Sequence, residues 1–349
     1  MSTLTIELCE RGWLPDFLTR FGMRRLMAQR IADESVDHGE QEFHRFRQYL
    51  DELRHSDIAI ETDAANEQHY ELPAAFFEQT LGENLKYSGC FWDQGVSSLD
   101  EAERRMLAMT CERAELADGQ RILELGCGWG SLTLWMARHY PSASIVAVSN
   151  SASQREYISR RCADEGLTNV QVITADANEF MTELEFDRVV SVEMFEHMRN
   201  YSQLLHRISQ WLKPGGKLFV HIFCHRHLLY PFTTDDEYDW MGRYFFTGGL
   251  MPSEQTLLYF QDDLKIEEQW RVSGEHYEKT SNAWLERMDR NRAAILPVFR
   301  EVYGQRDAER WFQRWRMFFM AVAELFGYKD GTEWVVAHYR FRKPEVAAT

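Results

Sequence analysis

Residues 121–131 read "RILELGCGWGS". An apolar strand, Arg121 to Leu125, runs directly into Gly126, Gly128 and Gly130, and a helix follows. Glycine lets a backbone turn sharply and approach a ligand that no Cβ would tolerate. On its own such a triplet marks only a tight strand-to-helix turn, so its surroundings decide its meaning.

Downstream of the glycines the pattern alternates. "SLTLWMARHY" reads as a helix, "SIVAVSN" as a strand, and a helix opened by Ser151 and Gln154 leads to the strand "VQVIT". A short helix, the strand "DRVVSV", a helix from about Tyr201, a "KPGG" turn and the strand "KLFVHIF" come next. Strands alternating with helices imply right-handed crossovers and a mostly parallel sheet covered on both faces, with ligands at the strands' carboxyl ends. After about His225 the alternation stops. It resumes with "LKIEEQWRVSG", two long helical patterns between Asn282 and Phe326, and a last strand, "EWVVAHYRF". Upstream, residues 14–86 are mostly helical by pattern, interrupted near "IAIETDAANEQHYELP", and Ser98 with Glu101 three residues on forms a capping box.

These breaks predict four parts: a helical N-terminal extension that covers the cofactor site (1–97), a Rossmann-like cofactor-binding core (98–224), an acceptor-site insertion (225–262), and a C-terminal part of the core with two long helices and the last strand (263–349). The chain has 349 residues, 44% hydrophobic and 27% charged, near the soluble globular average. No apolar run approaches the roughly 20 residues that span a bilayer, and "MSTLTIELCERGW" lacks the layout of a signal peptide, so a cytoplasmic protein is expected. Six cysteines without C-x-x-C spacing predict reduced thiols and no metal site. A formal charge of −16 argues against nucleic acid as a partner. In "LTRFGMRRLMAQR", Arg20, Arg24, Arg25 and Arg30 accompany Leu18, Phe21, Met23, Leu26 and Met27. An amphipathic helix packed on its own domain is the preferred reading, with a membrane-surface helix as the alternative. A homodimer is left open.

A dinucleotide and S-adenosylmethionine are the candidate ligands for the glycine loop. A dinucleotide site favours G-x-G-x-x-G and an acidic residue roughly 20 positions on. Here the third glycine comes one residue early, and the second strand ends in Ser149 and Asn150. S-adenosylmethionine fits better, with S-adenosylhomocysteine as its product. Glu124 suits the methionine ammonium, directly or through water, and Asn150 and Gln154 suit the ribose. Asp176, closing "VQVITAD", is placed to accept a hydrogen bond from the adenine amino group, and it can cap a helix as well.

"VEMFEHM" follows the fourth strand at the sheet centre. One helical turn there would set Glu193, Glu196 and His197 on one side and direct Met194 and Phe195 into packing. These three are the expected catalytic group, and an amine acceptor explains them. An amine with a pKa near 10.4 has only about one molecule in a few thousand neutral at pH 7, and removing its proton costs about 4–5 kcal/mol. A carboxylate to attract the ammonium and a second base to take the proton meet that need.

At these residues the chain resembles the coclaurine N-methyltransferases, plant enzymes that methylate the nitrogen of tetrahydroisoquinoline alkaloid precursors, and their bacterial relatives. Both are similar to the cyclopropane fatty acid synthases. The resemblance runs from about Leu14 to Arg342, through "ETDAANEQHYELP", "LKYSGCFW", "LELGCGWGSLTL", "VSNSASQ", "FDRVVSVEMFEHM", "LYFQDDL" and "MAVAELFGYKDGTEW". It implies a class I (Rossmann-like) α/β methyltransferase with a seven-stranded mostly parallel sheet, acting on a small-molecule amine. It also implies that Tyr87 and Ser88 help close the cofactor site, that Gly126, Asn150, Gln154 and Asp176 bind S-adenosylmethionine, and that Glu193, Glu196 and His197 handle the acceptor and its proton.

The alternative is lipid chemistry. Cyclopropane synthases use a bicarbonate held by a cysteine, a glutamate, a histidine and a tyrosine, and Glu196, His221 and Tyr277 match three of these positions. Gly89 stands where the cysteine is expected, with Cys90 one residue later. His221 is read equally as a core histidine and a site residue. Tyr277 and His276 follow a glycine at a strand end, as pocket residues or as a turn. In "YPFTTDDEYDWMGRYFFTGGLMP", Tyr230, Phe232, Trp240, Tyr244 and Phe245 suit a flat aromatic acceptor or an ordinary core, and Tyr230 and Tyr244 are taken as acceptor-binding. Trp334 is assigned to packing.

Overall fold

The structure is a computed structural model that describes residues 3–35, 39–60, 72–234 and 239–345. Most of "ETDAANEQHYELP" and four residues of the insertion, 235–238, lie outside them. The chain opens with helices α1 (Thr3–Glu10), α2 (Asp16–Glu34), α3 (Gly39–His55), α4 (Ala74–Thr80) and α5 (Leu99–Arg113). Ser98 caps α5 by accepting from the Glu101 amide, as the capping box predicts. Strand β1 (Arg121–Leu125), α6 (Ser131–His139), β2 (Ser144–Ser149), α7 (Ala152–Glu165), β3 (Val170–Thr174), β4 (Phe186–Val192), α8 (Tyr201–Trp211) and β5 (Leu212–His225) form the alternating core. Strand β6 (Tyr230–Pro231), α9 (Trp240–Tyr244) and β7 (Leu250–Met251) follow, then β8 (Lys265–Val272), α10 (Gly274–Arg290), α11 (Arg292–Phe326) and β9 (Trp334–Arg342).

Seven strands make one sheet in the order β3-β2-β1-β4-β5-β9-β8. Strands β1 to β5 pair in parallel, and β9 lies antiparallel between β5 and β8. The chain leaves β1 toward β2 on one side and returns to β4 on the other. The crevice above the carboxyl ends of β1 and β4 is therefore the switch point where ligands bind in open α/β sheets.

Three local expectations change. The "KPGG" segment is no free turn but part of β5, whose pairing with β4 slips between Phe186 and Arg188 while Lys213 Nζ holds Asp187 at 2.7 Å. The helix expected after β3 is a turn, because the Asp176 carboxylate accepts from the Asn178 amide at 2.7 Å and closes it locally. Tyr277 and His276 sit in the first turn of α10 rather than at a strand end.

The N-terminal helix α2 packs inward through Thr19, Met23 and Met27. Its arginines are largely committed within the chain. Arg20 reaches Glu324 at 2.9 Å and Asn282 at 2.7 Å, Arg24 also pairs with Glu324, and Arg30 lies 3.5 Å from Asp239. Leu18, Phe21 and Leu26 are exposed. Among the described residues no helix is long and apolar enough to cross a membrane, and the six cysteines are free and buried with no metal-binding cluster.

Helix α10 starts on Gly274, whose open side lies against the carbonyl oxygens of Phe326 and Trp334. Neither backbone can yield to a methyl group. Gly274→Ala is expected to destabilise the fold by about 1–3 kcal/mol, read as a lower melting temperature; an unchanged one would show that α10 is seated differently.

Candidate active site

The loop after β1 turns on Gly126 and Gly128, both at positive φ (80° and 52°), with the Gly126 amide bonded to the Val148 carbonyl at 2.9 Å. A Cβ on Gly128 would meet nothing within 4 Å, so the space beside it is open. Gly130 serves differently. It lines none of the three cavities described below, and a Cβ there would stand 2.6 Å from Ile158, so this glycine lets α6 pack on α7.

Three cavities adjoin one another here, and the loop lines two of them. The first lies over the ends of β1, β2 and β3, with Asn150, Gln154, Asp176, Met194 and His197 in its wall. Met194 thus faces the cavity and touches Gly126, while Phe195 is fully buried as expected. The second surrounds the far side of the loop and includes Tyr87, Ser88, Glu124 and Glu193; Gly126, Gly128 and Gln154 line both. The third is largely apolar, walled by Phe223, Phe232, Met241, Phe246, Phe318 and Phe326, with Tyr87, Glu193, His197, Tyr277 and Trp284 also in its lining. Glu193 and Tyr87 line the second and third, and His197 lines the first and third.

Unpaired polar atoms crowd the second cavity. Thr110 Oγ1, Trp129 Nε1, Ser131 Oγ and Gln154 Nε2 are buried in its wall with no hydrogen-bond partner among the described residues. Ser149 Oγ donates to Gln154 Oε1 at 2.6 Å, which fixes the amide and leaves its Nε2 aimed at open space. Buried polar groups are rarely left unmatched. Glu124 is buried beside them; burial pushes its carboxyl up to about 8, against the opposing effect of the Thr133 hydroxyl donating at 2.5 Å. A zwitterionic amino-acid end fits here and a ribosyl-adenine fits the first cavity, so the residues present fit S-adenosylmethionine. Thr110, Trp129 and Ser131 escaped the sequence reading. Only "GWGS" hinted at the last two.

Where the third cavity meets the others, the expected carboxylate group is split. Glu193 follows β4 in a left-handed conformation (φ 47°), and Phe195–His197 form a single 3₁₀ turn. Glu193 therefore points away from Glu196. Its Oε1 accepts from the Gly89 amide at 2.9 Å and lies 3.2 Å from His221 Nε2, and its Oε2 accepts from the Tyr277 hydroxyl at 2.7 Å. Burial raises its pKa, opposed by the nearby Lys86 ammonium and by the Gly89 and Tyr277 donors. Glu196 is fully buried and lines none of the three cavities. Its Oε1 accepts from the Phe223 amide at 2.7 Å, and its Oε2 has no partner among the described residues. Burial first, and Glu193 second, hold it well above the usual carboxylate range.

The other expected acceptor residues separate as well. His221 is fully buried and touches Glu193 rather than a cavity, so it is both core and site. Tyr277 lines the third cavity. Tyr230 and Tyr244 do not: the Tyr230 hydroxyl accepts from Trp334 Nε1 at 3.0 Å, and Tyr244 stacks under Arg314 at 4.1 Å and accepts from it at 3.1 Å. Partners elsewhere claim both side chains. Cys90 is buried with its Sγ 3.6 Å from the Ser88 carbonyl, turned off the cavities. A side chain on Gly89 would meet the Tyr277 ring at 3.1 Å.

A mostly parallel sheet with this strand order, an open glycine loop at its switch point and an unfilled polar wall beyond it define a class I methyltransferase. Residues 59–332 match the mycolic acid cyclopropane synthetase family. The chain is 38% identical to an (S)-coclaurine N-methyltransferase of Thalictrum flavum subsp. glaucum, over 97% of this chain and 95% of that protein. It superposes with a TM-score of 0.93 on the crystal structure of a coclaurine N-methyltransferase bound to N-methylheliamine and SAH, at 36% identity, covering 97% of this chain and 99% of that one. The cyclopropane-fatty-acyl-phospholipid synthase of Escherichia coli (strain K12) is 32% identical, over 78% of this chain and 67% of its own length. The chain belongs to this family, on its coclaurine N-methyltransferase side, and is an S-adenosylmethionine-dependent methyltransferase.

Gln154→Met removes the unpaired Nε2 donor at nearly constant volume. It is expected to raise the Kd for S-adenosylhomocysteine about tenfold, roughly the 1–1.5 kcal/mol of one hydrogen bond. An unchanged calorimetric Kd would take Gln154 out of the cofactor site.

Proposed function

We propose that this methyltransferase acts on the nitrogen of a small, largely apolar amine of the tetrahydroisoquinoline class. The observation that carries the reading is the Glu193 carboxylate, set between the cofactor cavities and the apolar one. S-adenosylmethionine supplies an electrophilic methyl group on a sulfonium.

The amine arrives as an ammonium. Glu193 attracts that charge, while the surrounding phenylalanines withdraw it from water and so lower the ammonium pKa. Two hydrogen-bond donors on Oε1 and one on Oε2 hold the carboxylate oriented. Its raised pKa makes it a better proton acceptor than an exposed glutamate. His197, in the walls of the first and third cavities, is positioned to pass the proton on. Glu196 stands behind Glu193, out of reach of the amine, and burial together with Glu193 holds it well above the usual carboxylate range, so that it does not compete with Glu193 for the ammonium. Holding the free amine in line with the methyl group supplies much of the rate.

Lipid methylenation is disfavoured by the same geometry. Two of the side chains that the resemblance assigns to a bicarbonate, His221 and Tyr277, are both engaged on Glu193, and Gly89 leaves room for that arrangement. A mass-resolved assay with S-adenosylmethionine, offering tetrahydroisoquinolines in one vessel and unsaturated phospholipid vesicles in another, is expected to add a methyl group to the amine alone. A gain on the lipid alone would overturn the reading.

Apart from Tyr87, Glu193, His197, Tyr277 and the indole of Trp284, the side chains lining this cavity offer no hydrogen bond, Phe223, Phe232, Met241, Phe246, Phe318 and Phe326 among them. A phenolic hydroxyl buried there without a partner costs about 1–3 kcal/mol. Dimethoxy-substituted tetrahydroisoquinolines should therefore exceed their dihydroxy counterparts in kcat/KM by about tenfold or more. A preference for the dihydroxy compounds would place the rings elsewhere.

A further inference from the structure

Behind Glu193 a file of buried side chains crosses the sheet. His221 on β5 and His338 on β9 stand opposite each other in register, and neither is exposed. His221 Nε2 lies 3.2 Å from Glu193 Oε1, and His221 Nδ1 lies 2.9 Å from His338 Nε2. His338 Nδ1 lies 2.7 Å from a terminal nitrogen of Arg113, the last residue of α5, which stacks on Trp270 of β8. Neither histidine lines the cavities described above.

The direction of every hydrogen in this file follows from its outer end. A guanidinium has donors only. Arg113 must donate to His338 Nδ1, so the proton of that ring is on Nε2 and points at His221. His221 Nδ1 must accept it, so the His221 proton is on Nε2 and points at Glu193. Burial, with the Lys86 and Arg113 charges nearby, holds His221 well below its ordinary pKa, and the same causes act on His338. Both rings are neutral. The file cannot carry a proton outward, because Arg113 has no lone pair to receive one. Its action is static.

We propose that Arg113 and His338 are positioning residues for methyl transfer: they lock His221 in the tautomer that donates to Glu193, and so keep that carboxylate ionised and turned to the acceptor. The inference rests on the amine reading above. The other groups facing Glu193 are Lys86 and the Gly89 amide from the N-terminal segment, Tyr277 from α10, and Glu196 and His197 from the following turn. None of them sets the His221 tautomer.

Without Arg113 the file can reverse. His338 is then free to hold its proton on Nδ1, His221 turns its proton toward His338, and a bare His221 Nε2 faces Glu193 Oε1. Two acceptors in contact are relieved by protonating Glu193, which raises its pKa. The acid limb of the kcat/KM profile should move up accordingly. It would be measured with a dimethoxytetrahydroisoquinoline for the wild type, Arg113→Met, His338→Phe and His338→Gln, with S-adenosylhomocysteine affinity and melting temperature alongside. We expect Arg113→Met and His338→Phe to shift the limb up by about one pH unit, a tenfold loss below it, with cofactor-product affinity unchanged. His338→Gln, whose amide offers both an acceptor to Arg113 and a donor to His221, should restore the wild-type limb. Uniform loss of kcat with no movement of the limb would reduce the file to packing and overturn the proposal. Nitrogen NMR of histidine-labelled wild-type protein reads the tautomers directly, whether or not a variant folds or the amine is a substrate. Two neutral Nε2–H rings at His221 and His338 are expected, and an Nδ1–H ring or an imidazolium at either contradicts the inference.

Discussion

The site is organised around a carboxylate kept almost out of water. Removing such a charge from solvent costs several kcal/mol unless donors replace the lost hydration. Glu193 has the Gly89 amide, the His221 ring and the Tyr277 hydroxyl, and the Lys86 ammonium nearby. Its left-handed backbone, a strained conformation for a residue with a Cβ, is what turns β4 into the following 3₁₀ turn and parts Glu193 from Glu196. Burial, and after it the nearness of Glu193, holds Glu196 above the usual carboxylate range.

Much of the remaining architecture serves those donors. Gly89 lacks a side chain, so Tyr277 and Glu193 can close on it. Tyr277 is brought in by α10, which is seated on Gly274 against the end of α11 and β9. The antiparallel insertion of β9 sets His338 beside His221. The N-terminal helices contribute at a distance: Glu10 of α1 accepts from Trp240 of α9 at 2.9 Å and from Arg310 at 2.6 Å, tying the first helix to the segment that carries Met241 over the apolar cavity.

The sheet was legible because its signal is local. Apolar runs of strand length, glycine turns and serine caps repeat at the right intervals, and "RILELGCGWGS" sets the switch point. Asn150, Gln154 and Asp176 were legible for the same reason, as residues at strand ends or first helical turns that face the switch-point crevice. The acceptor wall was not. Aromatic residues in the insertion gave no sign of which side they faced, and Tyr230 and Tyr244 turned to Trp334 and Arg314. Lys86 and His338 were missed because their significance depends on contacts between segments far apart in sequence. Glu193 and Glu196 were found together but given one role, since a helical turn was assumed where the backbone adopts a left-handed residue and a 3₁₀ turn.

In the proposed reaction Glu193 presents negative charge to a cationic acceptor, independently of any proton transfer. An N,N-dimethyl tetrahydroisoquinolinium has the charge and no proton to give, so its binding isolates that attraction. Calorimetry would compare its affinity for the wild type and Glu193→Gln, each saturated with S-adenosylhomocysteine. The account predicts a weakening of about tenfold or more in the variant, with the affinity for S-adenosylhomocysteine unchanged. Equal affinity for the cation in the two proteins would contradict it.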